Sequence, residues 1–131
     1  MKVRKPRPAR FLNVDLQIWS ARDLRPLIRV LKKETIVLHA IEGFAAFEFL
    51  PQLRNAPATL NRFCELLEKL PPAARNSWES AKTRQMDVGI EGGAARKAGR
   101  FSIPASTLAR VAKLKAERVF TVYSPDLSLY S

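Results

Sequence analysis

Between residues 11 and 19 apolar and polar positions alternate, with Leu12, Val14, Leu16 and Ile18 on one face and Asn13, Asp15 and Gln17 on the other. A period of two is that of an extended chain with one side buried, so the segment predicts a half-buried strand. The period then changes. Leu24, Leu27, Ile28 and Leu31 recur at i, i+3, i+4 and i+7, with Asp23 placed to cap a helix and Pro26 in its first turn. Residues 35–41, TIVLHAI, form a nearly continuous apolar run whose shortness and β-branching predict an interior strand. Glu42 and Gly43 supply a tight reversal into a strand over residues 44–50, which makes the pair a hairpin.

Asn55, Ala56 and Pro57 open a second helix with Leu60, Phe63, Cys64, Leu67 and Leu70 along one stripe. Pro71 and Pro72 end it and start a third, whose seam is Ala74, Trp78 and Ala81. Met86, Val88 and Ile90 alternate with Gln85, Asp87, Gly89 and Glu91 in another strand, and a loop of Gly, Ala and basic residues follows over 92–99. Residues 100–103 read as a short strand, residues 104–115 as a helix with Leu108, Val111 and Ala112 inward, and residues 119–123 as a closing strand. The order β-α-β-β-α-α-β-β-α-β predicts an α+β fold, a mainly antiparallel or mixed sheet of about six strands with helices on one face. Its first part follows the split β-α-β plan of ferredoxin-like folds, and the closing β-α-β echoes the opening one in element order. The expected organisation is a flexible basic arm over 1–10, one α+β domain over 11–125 and a tail over 126–131.

A chain of 131 residues, 47% hydrophobic and 27% charged, has the size and composition of one globular domain. No apolar run approaches the ~20 residues that cross a bilayer, and no apolar segment follows the basic start to make a secretory signal. The one cysteine excludes an internal disulfide and a cysteine-based zinc site, and it favours a reducing, cytoplasmic setting.

Charge changes the picture more. Lys and Arg number 23 against 12 Asp and Glu, a net +11, and Lys2, Arg4, Lys5, Arg7 and Arg10 sit together in the arm with no acid among them. An extended cationic arm attracts phosphate by counterion release, without sequence preference. Arg96, Lys97 and Arg100 add charge to the glycine-rich loop. That loop lacks the G-x-x-x-x-G-K-[ST] spacing and does not lead directly into a helix, so it is no nucleotide-binding loop, though its charges suit phosphate contact. The arm has no apolar anchor beside it, which argues against a membrane partner.

Catalytic constellations are sparse. His39 sits inside an apolar run and reads as a partly buried strand residue, and Cys64 lies on a core stripe. Asp15 and Asp87 occupy matching polar-face positions of strands that neighbour each other in a ferredoxin-like sheet. With Asn13, Gln17, Gln85 and Glu91 they form either the ordinary solvated side of the sheet, the simpler reading, or a face that holds a divalent cation or moves protons. EGFAAFEF, residues 42–49, is similar to the K/R-G-F/Y-G/A-F-V-x-F/Y motif of RNA-recognition domains. Glu42 replaces the basic residue, Ala46 a stacking aromatic, and Asn13 stands where a second platform belongs, so that mode of binding is not expected. Phe47 and Phe49 read as core, while Trp19 and Trp78 read as packing or as an exposed interaction patch.

The stretches FCELLEKLPPAARNSWESAKTRQMDVGIEGG and FSIPASTLARVAKLKAERVFTVYSP resemble an uncharacterised family of small bacterial proteins, in which a capped helix, a strand close to D-[VI]-G-[IF] and a closing strand ending in V-Y occur in this order. The resemblance implies a bacterial single-domain α+β protein over residues 11–125, and no activity or site residues. The expected function is a non-enzymatic module, without cofactor or metal, that contacts nucleic acid or another polyanion through Lys2, Arg4, Lys5, Arg7, Arg10, Arg96, Lys97 and Arg100. The alternative is a protein-interaction module of immunity type, binding a protein partner or its own copy through sheet edges or Trp19 and Trp78. An enzyme built on Asp15, Asp87 and Glu91 comes third.

Overall fold

The computed structural model describes residues 6–95 and 98–125. The alternating segments form β1 (Arg10–Trp19), β2 (Ile36–Ile41), β3 (Phe44–Glu48), β4 (Thr83–Glu91) and β5 (Glu117–Tyr123). Segments of helical period form α1 (Arg25–Leu31), α2 (Ala56–Glu68), α3 (Pro72–Glu79) and α4 (Ala105–Lys113). One sheet results, in the order β2-β3-β1-β4-β5, antiparallel throughout except that β5 runs parallel to β4. The fold is therefore α+β with a mixed sheet.

The core lies between one sheet face and the helices. Val14, Leu16 and Ile18 of β1, Phe47 of β3 and Met86 and Val88 of β4 are buried there with Leu27, Leu31, Leu60, Phe63, Leu67, Trp78 and Val111. Each such side chain contributes roughly 2 kcal/mol by leaving water. α2 starts as its sequence predicts, with the Asn55 side chain accepting from the Ala58 N–H at 2.9 Å. α1 starts differently. Asp23 accepts from the Arg25 N–H at 3.0 Å and from the Arg25 guanidinium, but Leu24 occupies the capping position.

Three further expectations are corrected. Among the described residues five strands form where about six are expected. The alternation at residues 100–103 is only four residues long, bounded by Gly99 and Pro104, and β5 rather than this segment takes the side of β4 that β1 leaves free. β2, expected inside the sheet, is one of its two edge strands. Helices cover one face only, and the TIVLHAI run consequently leaves His39 exposed and Ile41 67% exposed. Finally, the clean alternation of β1 is broken by a bulge, because Phe11 pairs with Ile90 and Asn13 with the next residue back, Gly89. Leu12 is the extra residue, and Phe11 rather than Leu12 packs against the core. Among the described residues no helix is long and apolar enough to cross a membrane.

Candidate functional site

The arm and the glycine-rich loop meet. The Arg7 carbonyl accepts hydrogen bonds from the Ala94 and Ala95 N–H groups at 2.9 and 3.0 Å. Gly93 makes the approach possible: a Cβ there would stand 2.4 Å from the Ala9 nitrogen and 2.9 Å from the Pro8 carbonyl carbon, both backbone atoms with little room to yield. Gly99 serves Ala9 from another side, since a Cβ on it would lie 2.7 Å from the Ala9 Cβ. Below this contact Arg10 opens β1 opposite Glu91, the last residue of β4, and their side chains form an ion pair at 3.2 Å. The Gly92 N–H donates to the Tyr123 carbonyl at 2.6 Å, which ties the loop's start to the end of β5.

Of the cations singled out in the sequence, Arg7, Arg10 and Arg100 are described and all three are exposed. Arg7 and Arg10 belong to the arm–loop contact, and Arg100 follows Gly99 at its edge, with no carboxylate in ion-pair distance among the described residues. Lys2, Arg4, Lys5, Arg96 and Lys97 lie outside the described residues.

The open face of the sheet is organised differently. Asp15 and Asp87 are direct cross-strand partners. The pairing of Leu16 with Phe47 sets Glu48 of β3 beside Asp15 on its other side, so three carboxyl groups cross three adjacent strands in a row. The Asn13 amide donates to Asp15 Oδ1 at 3.1 Å and to Glu48 Oε2, and the Thr121 hydroxyl donates to Asp87 Oδ1 at 2.7 Å. Gly89 gives Asn13 its place, because a Cβ there would come within 2.7 Å of Asn13 Oδ1. Burial first, then a hydrogen bond with Glu48 and the negative charges of Glu48 and Asp87, push the Asp15 carboxyl up to about 7. Asp15 therefore holds its proton to a higher pH than an ordinary aspartate does. Among the described residues no group of three or more His, Cys, Asp or Glu side chains is arranged to hold a metal ion.

At the far end of this face Trp19 rests on Phe44, with ring centroids 4.8 Å apart, and His39 lies 5.9 Å from Phe44. Phe47 and Phe49 of the EGFAAFEF stretch are core residues, and Asn13 serves the carboxyl row. Trp78 is buried, its indole N–H donating to the Leu114 carbonyl at 3.2 Å, so it offers no interaction patch. Cys64 is buried in α2, its thiol pushed up to about 11 mainly by that burial, and exposed His39 stands on the outermost strand. The two make no nucleophile–base pair.

Sequence reasoning placed Asp15 against Asp87 and missed Glu48, although the hairpin register would have aligned it with Asp15. It grouped the arm and the loop as one cationic surface but left open whether they are adjacent, and it did not foresee the backbone contact of residue 7 with residues 94 and 95. The signal available was the pair of glycines at positions 93 and 99, which no turn type demanded. Comparison with protein-family models, curated proteins and solved structures finds no match in any of the three.

Proposed function

We propose that this chain is a non-enzymatic binding module that holds nucleic acid or a similar polyanion at the arm–loop end of its sheet. The observation that carries this reading is the pair of hydrogen bonds from Ala94 and Ala95 to the Arg7 carbonyl. It joins two segments that are far apart in sequence and each rich in cations. Lys2, Arg4 and Lys5 precede one side of that contact in the chain, and Arg96, Lys97 and Arg100 follow the other. Arg10 is partly matched by Glu91, so its charge counts for less. The carboxyl row of Glu48, Asp15 and Asp87 opposes a phosphate backbone laid across the open face, and this separates the reading from RNA-recognition binding.

The strand order β2-β3-β1-β4 with antiparallel neighbours supports a ferredoxin-like core to which α4 and β5 are added. The lone, buried cysteine supports a cytoplasmic setting, and kinship with the small bacterial family stays part of this proposal.

The test is fluorescence anisotropy of a labelled single-stranded oligonucleotide at low salt. The triple variants Lys2→Gln/Arg4→Gln/Lys5→Gln and Arg96→Gln/Lys97→Gln/Arg100→Gln are each expected to weaken binding roughly tenfold or more. Affinity unchanged in both overturns the proposal.

A second reading has its own observation. Among the described residues β5 pairs only with β4, and it leaves Phe120, Val122 and Tyr123 at 46%, 67% and 52% exposed, an outer strand suited to a protein partner or to a second copy. Light scattering after size-exclusion chromatography at high salt separates the two, since self-association that survives salt belongs to the strand edge.

A further inference from the structure

At the opposite end of β4 from the arm–loop contact, about 25 Å away along the strand, the last turns of α2, α3 and α4 enclose a cleft of about 660 Å³. That volume is in the range of small-molecule sites. Its cations come from separate stretches of chain: Arg75 of α3, Arg84 of β4, Lys113 of α4 and Lys115 just beyond. Two acids share the cleft. The Glu68 carboxylate is taken by Arg110 at 2.6 Å, and that bond holds it below the usual carboxylate range, which leaves Glu79 as the other.

Arg84 is fixed before any ligand arrives. Its Nη1 donates to the Trp78 carbonyl at 2.8 Å, its Nε donates to the Lys115 carbonyl at 3.2 Å, and its guanidinium stands 5.6 Å from the centre of the Trp78 ring. Arg75 donates through Nη2 to the Leu70 carbonyl at 3.1 Å and to the Glu68 carbonyl at 3.4 Å. Carbonyls at helix C-termini carry negative partial charge and would oppose an anion. Here the two arginines have already met several of them. Nη2 of Arg84, and Nε and Nη1 of Arg75, keep N–H groups with no acceptor among the described residues. Lys113 and Lys115 are exposed and make no ion pair among the described residues.

We propose that this cleft binds a compact polyphosphate, the di- or triphosphate group of a small molecule. Two anchored guanidinium groups and two long lysines, against one acid without a partner, suit an anion of several charges better than a single carboxylate. Trp78 lies buried beside Arg84 and offers no open ring for a base to stack on, so recognition falls on the phosphates. This inference does not rest on the arm–loop reading.

The experiment is calorimetric titration of the full chain with inorganic tripolyphosphate at low ionic strength, repeated with adenosine triphosphate. One saturable site is expected, with the two ligands within about threefold of each other because the base adds little. Lys113→Glu/Lys115→Asn, the asparagine chosen because Lys115 has a φ of 58°, should weaken binding at least tenfold. Lys113→Gln/Lys115→Gln, which adds no negative charge, should weaken it severalfold, and Arg96→Gln/Lys97→Gln should leave it unchanged. No saturable binding, equal binding by both lysine variants, or loss of binding in the Arg96 and Lys97 variant overturns the proposal. The last outcome would assign the anion to the arm–loop end instead.

Discussion

Asp15 is the residue whose chemistry departs furthest from the ordinary. It gains nothing from ionising, since Glu48 and Asp87 flank it and the sheet half-buries it. A carboxyl group that titrates near 7 when folded and near 3.8 when unfolded binds its proton more tightly in the folded chain. Its stabilising contribution is therefore complete below about pH 4 and is lost as pH rises through 7. Water reaches this half-buried site and weakens the coupling, so the contribution is roughly 1–2 kcal/mol. Thermal melts should show the Asp15→Asn variant a few degrees more stable than wild type at pH 8, with a flatter profile between pH 5 and 8. A variant less stable than wild type at pH 8 would mean that the carboxyl row is not strained by its charges.

The contact between the arm and the loop depends on backbones that touch where no side chain stands. Gly93→Ala places a methyl carbon against the Ala9 nitrogen, so residues 7–9 must withdraw and the Ala94 and Ala95 amides lose their acceptor. Hydrogen exchange should report this as much faster exchange at those two amides, with the amides of β1 from Val14 onward unchanged. Equal protection in the variant would remove the contact from the account. Such contacts explain what was and was not legible in the chain. Four helices and five of the expected strands follow from local periodicity, because each buries one face on a shared core. The bulge at Leu12, the outer position of β2 and the failure of residues 100–103 to pair depend on which strands become neighbours. No local pattern carries that information. The candidate site divides in the same way. The pairing of Asp15 with Asp87 was expected from matching alternation in β1 and β4 taken together with the ferredoxin-like element order, which makes those strands neighbours. The meeting of residue 7 with residues 94 and 95 required the folded sheet to bring the start of one strand beside the end of another.

Across the whole molecule, a net +11 is distributed against an open face whose centre is acidic. On the proposed reading, a polyanion is held at the ends of the sheet, because the carboxyl row repels it from the middle. The proposed ends differ in kind: one is formed by the arm and loop and suits a long phosphate chain, while the other is a cleft for a compact group. The most direct test of the first is the salt dependence of single-stranded oligonucleotide binding. With about five to seven of the named cations engaged, log K should fall against log salt concentration with a slope of about −3.5 to −5. The slope should become shallower by about 2 in the Arg96→Gln/Lys97→Gln/Arg100→Gln variant. A slope near zero, or one that the substitutions leave unchanged, would contradict polyanion binding at the arm–loop end.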